Sequence, residues 1–329
     1  MLTRRELLAA VGAVSAAAAL GACGQEASKT KSAGGTAVTF LTGYGTTPRE
    51  TFPWVGVAKG FFNDVGIDLT VLPGQPSDAN LKTLAAGKAQ FAFLDFVSAI
   101  RGTKAFPDYR TIMAVQSSTL LSMMTLAGRG ITKPTDLVGR TLGAAPAGAS
   151  QTLFPAYAKA AGFDPATDRF VNAPPDQLPS LLAAGRVGAM GSYAIDTPNV
   201  ENVAKGQTAV VLPYGRYLPD LYGTVVVATT GVLSGDADLV HRFVGAMTKT
   251  VRYAVDNPDE AGAIVQGKLP TVNGAVVTKT MILMKPYVTS PALDRGRVER
   301  GIALLSAAGL AAASLSPEAA VDFDAAKVS

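Results

Sequence analysis

One histidine and one cysteine limit the chemistry open to this 329-residue chain. His241 falls in a stretch that reads as a long helix, residues 236–256, and is expected on its surface. Cys23 lies close to the N-terminus. Cysteine–histidine nucleophilic chemistry is therefore excluded, and serine–histidine chemistry would require His241 to leave its helix face. A zinc site would have to be built mostly from carboxylates. What is left is a set of acids, aromatics and small polar residues placed where strands end. Asp95 follows the apolar run Phe91-Ala92-Phe93-Leu94, where a carboxylate either caps the next helix or accepts hydrogen bonds from a ligand. Tyr193 stands just past another strand, at 187–190. Tyr44 sits in the loop that ends the first strand. Trp54, the only tryptophan, opens the next helix, and an indole N–H needs a partner when buried, so core and ligand-facing readings are balanced. Ser117, between Gln116 and Ser118, offers either a small polar contact or a surface turn. Asp196, ahead of Thr197-Pro198, reads as a helix cap rather than a ligand contact.

The stretch Thr141-Leu142-Gly143-Ala144-Ala145-Pro146-Ala147-Gly148-Ala149-Ser150-Gln151 reads as a strand, a turn of tiny residues and a helix over 151–161 with Ser150 at its N-cap. Tiny side chains let a ligand approach backbone N–H groups at the positive end of a helix dipole, so Ala149 and Ser150 are candidates for holding an anion or a carbonyl. No lysine follows Gly148, which argues against a nucleotide triphosphate cradle.

Elements that would position these residues alternate along the chain. Strands are expected at 36–41, 67–72, 91–94, 111–115 and 123–127, with helices at 52–63, from Ser77, and from about Asp95. The pattern then restarts, with helices at 176–184 and 197–205 and strands at 187–190 and 208–212. Within it lies an echo. Leu84-Ala85-Ala86-Gly87-Lys88 matches Leu182-Ala183-Ala184-Gly185-Arg186 at an offset of 98. In both, a helix stops at glycine, a basic residue follows and a strand begins. The same offset pairs Asp95 with Tyr193. After a strand at 225–229, the last third is helical and has too few strands to form its own sheet. Two similar α/β lobes follow from this pattern, the first interrupted by the second, with crossings near Ala127 and Thr224.

The N-terminus belongs to neither lobe. Arg4-Arg5 precede an apolar run over 7–20, too short to span a bilayer and suited to a signal peptide. Leu20-Gly21-Ala22-Cys23 resembles a bacterial lipobox, with the single cysteine at the position lipidation requires. The arginine pair leaves twin-arginine and general secretory export both open. Residues 24–35, rich in lysine, serine and glycine, read as a tether. With only 16% charged residues and a net charge of +4 spread along the chain, nothing suggests a nucleic-acid partner.

Four ordered segments carry a resemblance. They are Val57-Ala58-Lys59-Gly60-Phe61-Phe62 with Gly66-Ile67-Asp68-Leu69; Leu84 through Phe93; Asp136-Leu137-Val138-Gly139-Arg140-Thr141-Leu142-Gly143; and Asn257-Pro258-Asp259-Glu260-Ala261. Together the chain resembles the solute-binding proteins of the sulfonate, taurine, nitrate and thiamine-pyrimidine (NMT1/THI5-like) group. The resemblance implies a periplasmic-binding-protein type II fold, two lobes with a hinged interlobe cleft, working with the permease and ATPase subunits of an ABC importer. It also implies that strand C-terminal ends and helix N-termini face the cleft.

The expected layout is a signal peptide at 1–22, a lipidated tether at 23–35, the first lobe at 36–127 and 225–329, and the second at 128–224. The chain is expected to be a monomer and not an enzyme. It needs no cofactor, and it is held at the outer face of the membrane by its lipid. An oxyanion ligand suits the turn at Ser150 together with Arg49, while a heteroaromatic amine suits Tyr44, Trp54, Tyr193 and Asp95. The aromatics and the acid tilt the balance to a ring such as a pyrimidine. A non-transport lipoprotein that senses a ligand and docks an envelope partner is the alternative.

Overall fold

The computed structural model describes residues 35–165 and 169–327. The expected leader, Cys23 and nearly all of the tether lie outside the described residues. The first four strands are β1 (Thr36–Leu41), β2 (Ile67–Leu72), β3 (Phe91–Asp95) and β4 (Tyr109–Ala114). Then come β5 (Leu121–Leu126), β6 (Thr141–Ala144), β7 (Arg169–Asn172), β8 (Ala189–Tyr193), β9 (Ala209–Pro213) and β10 (Thr224–Thr229). They build two five-stranded sheets with the orders β2-β1-β3-β10-β4 and β7-β6-β8-β5-β9.

The two orders are the same order. In the first sheet β10 alone runs against its neighbours, and in the second β5 does. Each of these strands is the one the chain enters on crossing from the other sheet, at 115–120 and at 214–223. The first crossing lies earlier than the pattern near Ala127 suggests. The strand assigned to the end of the first lobe instead pairs with β8 and β9 in the second sheet. All six of its residues are buried, which would suit either sheet, and only pairing with strands far along the chain decides between them.

Two helices end earlier than periodicity predicts, one at a glycine and one at a proline. The helix expected over 52–63 stops at Ala58, because Gly60 takes φ 77°. The helix expected over 151–161 is two pieces, Ala149–Thr152 and Phe154–Ala160. Pro155 has no N–H to continue the ladder, so the chain restarts with proline in the first turn. Gly148, not Ser150, occupies the N-cap of the first piece.

The long helix Ala237–Asp256 covers the first sheet. Phe243 stacks on Phe91 at 3.9 Å between ring centroids, and Phe40 meets Phe93 edge-on at 4.5 Å. The helix Phe52–Ala58 crosses it so closely that a Cβ on Gly56 would stand 2.2 Å from Thr250 Oγ1. That contact seats the turn at Pro48–Glu50, just ahead of the helix, over the ends of β1 and β3. The helix Gly274–Met284 packs against the same turn and also against the second-lobe helix Thr197–Val203. Among the described residues no helix is long and apolar enough to cross a membrane.

Candidate functional site

The loop after β1 is held from within. Glu50 turns back so that its Oε2 accepts from the N–H groups of Gly43, at 2.6 Å, and Tyr44, at 3.0 Å. Asn80 Nδ2 donates to the carbonyl of Thr42 at 2.9 Å, and Gly74 N donates to Thr42 Oγ1 at 2.8 Å. Gly74 must be glycine, since a Cβ there would fall 1.7 Å from the Thr42 carbonyl oxygen. With the loop fixed in this way, Arg49 is directed away from its own lobe.

Arg49 reaches the second lobe. Its Nη1 donates to Asp196 Oδ2 at 3.0 Å, and its guanidinium lies over the Tyr193 ring, 4.1 Å from the centroid. On its own lobe it meets Glu50 Oε1 at 3.4 Å. Ser192 Oγ donates to the same Asp196 oxygen at 3.0 Å. Arg49 is buried and Asp196 half-buried, with 9% and 12% of their side-chain surface exposed, so the pair is largely shielded from solvent screening. Burial opposes the Arg49 charge, but Asp196 and Glu50 outweigh it and hold the guanidinium above its ordinary pKa. Asp196 occupies the cap position before Thr197 but makes no capping hydrogen bond. Its work is across the lobes, a role that neighbouring sequence does not reveal.

Asp95 ends β3 and faces this group. Its Oδ1 accepts from Val97 N at 2.9 Å, capping the helix Phe96–Gly102. Its Oδ2 is buried and has no hydrogen-bond partner among the described residues. One oxygen therefore caps the helix, and the other is left without a partner. Burial pushes its carboxyl up to about 7 against the pull of the Val97 and Ser98 N–H groups and of Arg49. Burial also raises the Tyr193 phenol, reinforced by the negative charge of Asp95. Two further buried polar atoms on the first lobe, Arg49 Nε and Thr47 Oγ1, also lack partners. A buried polar group without a partner costs about 1–3 kcal/mol, so their clustering at the meeting of the lobes is a demand for complementary groups.

The structure thus brings together Asp95 and Tyr193, and adds Arg49, Glu50, Ser192 and Asp196. Tyr44 is half-buried in the loop that Glu50 ties. Trp54 is half-buried on the following helix and shares no ring contact with Tyr193. Ser117 lies in the first crossing segment, its N–H donating to Tyr287 O at 2.8 Å, away from the Arg49–Asp196 pair. Ala149 and Ser150 are buried, and Ser150 Oγ sits 2.2 Å from where a Cβ on Gly191 would stand, so this serine packs against β8. Its carbonyl accepts from Tyr214 Oη at 2.9 Å. A four-residue helix gives the turn little dipole to offer an anion. A surface groove lies elsewhere, among Arg110, Arg295, Glu318 and Phe323.

Comparisons with known proteins agree with this architecture. The alkanesulfonate-binding protein SsuA from Xanthomonas axonopodis pv. citri, solved with MOPS, superposes with a TM-score of 0.71 at 13% identity, covering 87% of this chain and 98% of its own. A conserved Candida albicans protein with the generic periplasmic binding protein fold superposes with a TM-score of 0.62 at 15% identity, covering 88% and 96%. The two lobes therefore form the periplasmic-binding-protein type II fold. The formylaminopyrimidine-binding protein of Halalkalibacterium halodurans is 23% identical over 214 residues, which is 64% of this chain and 64% of that relative's length. The family model described as NMT1/THI5 like matches residues 48–261, well over half of the chain, and the protein belongs to that family.

Proposed function

We propose that this protein is an extracytoplasmic solute-binding lipoprotein that takes a small, planar, nitrogen-rich ring, of the pyrimidine class, between its lobes and passes it to an ABC importer. The observation that carries this reading is the free Oδ2 of Asp95, a buried acceptor set beside Tyr193 and Arg49. A ring bearing N–H or NH2 groups would satisfy that oxygen, while Tyr193 provides an aromatic wall and Arg49 Nε a donor for a ring nitrogen or carbonyl. Family membership and the formylaminopyrimidine-binding relative support the same ligand class. Export through the leader at 1–22 and anchoring through Cys23 complete the proposal, with the protein acting as a monomer and binding rather than catalysing.

An oxyanion such as a sulfonate fits less well. Glu50, Asp95 and Asp196 put three carboxyl groups around one guanidinium, and two of them already engage Arg49. An added anion would meet net negative charge in a buried setting, where repulsion is least screened. Titration calorimetry with formylaminopyrimidine and with an alkanesulfonate tests the choice. Binding of the pyrimidine, weakened about 10- to 100-fold by Asp95→Asn, is the expected result, the size of a lost hydrogen bond to a charged group. Sulfonate binding without pyrimidine binding, or unchanged affinity in Asp95→Asn, would overturn it.

A further inference from the structure

Away from the ligand site, both crossing segments converge on one side chain. Arg297, in the first turn of the helix Arg295–Ala307, donates from Nη1 to the Ser117 carbonyl of the first crossing at 2.5 Å. From Nε and Nη2 it donates to three carbonyls of the second crossing, Asp220 at 3.2 Å, Pro219 at 3.0 Å and Leu221 at 2.8 Å. The guanidinium plane lies over Tyr222, 4.0 Å from its centroid. Tyr222 is fixed in turn, because its Oη accepts from Asp294 N at 2.8 Å. The crossings are also laced to each other, Gly223 N to Gln116 O at 3.2 Å and Thr119 N to Leu221 O at 2.9 Å. Gly223 permits this approach, since a Cβ there would stand 2.8 Å from the Ser118 carbonyl oxygen.

We propose that Arg297 is the positioning residue that sets where the lobes turn against each other. Lobe rotation needs φ/ψ changes in the crossings. Residues whose carbonyls are shared by one guanidinium cannot rotate independently without losing charge-assisted hydrogen bonds, and the planar fork makes their directions specific. Bending is thereby driven to the second-lobe side of the clamp, around residues 120 and 214–218. An axis placed there returns Arg49 to Asp196 each time the lobes meet. Lysine, with three donors and no plane, cannot reproduce the four-carbonyl set.

The test measures the distance distribution between spin labels at exposed positions on the two lobes, Lys88→Cys and Lys159→Cys, in the full chain carrying Cys23→Ser. It uses no ligand, so it stands or falls separately from the ligand assignment. Arg297→Lys is expected to widen the distribution about twofold and to speed amide exchange at 117–121 and 219–223 relative to the rest of the helix Arg295–Ala307. Tyr222→Leu, which keeps the carbonyl set but removes the ring beneath it, should widen it less. Arg300→Ala, which loses only the exposed pair with Asp220, should leave it unchanged. An unchanged width in both Arg297→Lys and Tyr222→Leu, with or without a lower melting temperature, would overturn the proposal. So would equal widening by Arg300→Ala.

Discussion

The ends of β3 and β8 occupy the same place in two sheets of the same strand order, 98 residues apart, yet they carry different chemistry. At the first stands Asp95, with one oxygen spent on a helix cap and one left over. At the second stands Tyr193, whose ring is covered by an arginine from the other lobe. The preceding helices end alike, at Gly87 and Gly185 with φ 69° and 71°, so the scaffold is shared down to the backbone. The first lobe adds Arg49 and Glu50 on a loop tied to its own strand ends, whereas the second offers tiny residues, a four-residue helix and an inward-packed serine. A repeated scaffold therefore need not give repeated function. One lobe supplies charge and unmet hydrogen-bonding capacity, and the other supplies an aromatic ring and one carboxylate that pulls the charge across.

If that division is right, the heaviest loss should come from Arg49→Met. It leaves Glu50 buried and Asp196 half-buried with no counter-charge, and removing one partner of a buried pair costs about 3–5 kcal/mol. Chemical denaturation should show this as a lower midpoint, and a drop under about 1 kcal/mol, the scale of an exposed pair, would mean that the lobes do not depend on the cross-lobe pair.

Asp95→Asn tests the next claim through pH. Because the folded-state pKa is raised to about 7 from 3.8, the folded protein keeps a proton that the unfolded chain has released between those values. The stability due to Asp95 is then fully present below about 4, falls as pH rises toward about 7, and is flat above. Asparagine cannot titrate, so the variant should gain on the parent by up to a few kcal/mol between pH 4.5 and 8. Urea midpoints that move in parallel for the two proteins would break the assignment of a strained acid to the first lobe.

Gly191→Ala probes the packing role of the second lobe. The new Cβ would press on Ser150, an overpacking cost of about 1–3 kcal/mol. Adding Ser150→Gly should recover most of it in a double-mutant cycle of melting temperatures. No loss in the single variant would mean that Ser150 is free to turn toward the space between the lobes.

Most strands were legible from the sequence because their signals are local, though β7 at Arg169–Asn172 was not among those expected. β1 and β2 fall at the residues their alternation predicts, and the offset of a short repeat singled out Tyr193 as the counterpart of Asp95. Arg49–Asp196 was not legible, since its partners are 147 residues apart and each has a bland local role, a loop cation and a helix cap. The first crossing escaped for the same reason: pairing, not patterning, assigns β5 to its sheet. Ser150 misled because a serine followed by a helical run is a good cap, but glycine two residues earlier started the helix first.

The placement of β10 bears on how the chain is made. Every strand of the second sheet lies between residues 121 and 213, so that sheet can be completed from one continuous piece of chain. The first sheet cannot, because β10 enters between β3 and β4, and the helix Ala237–Asp256 that covers it comes later still. Pairing across such sequence separations is slow, since the loop must close before any contact rewards it. A chain released from the N-terminus onward would thus keep its first lobe open until more than two thirds of it had emerged. That order of events leaves the lobe that holds Asp95 and Arg49 as the last to close.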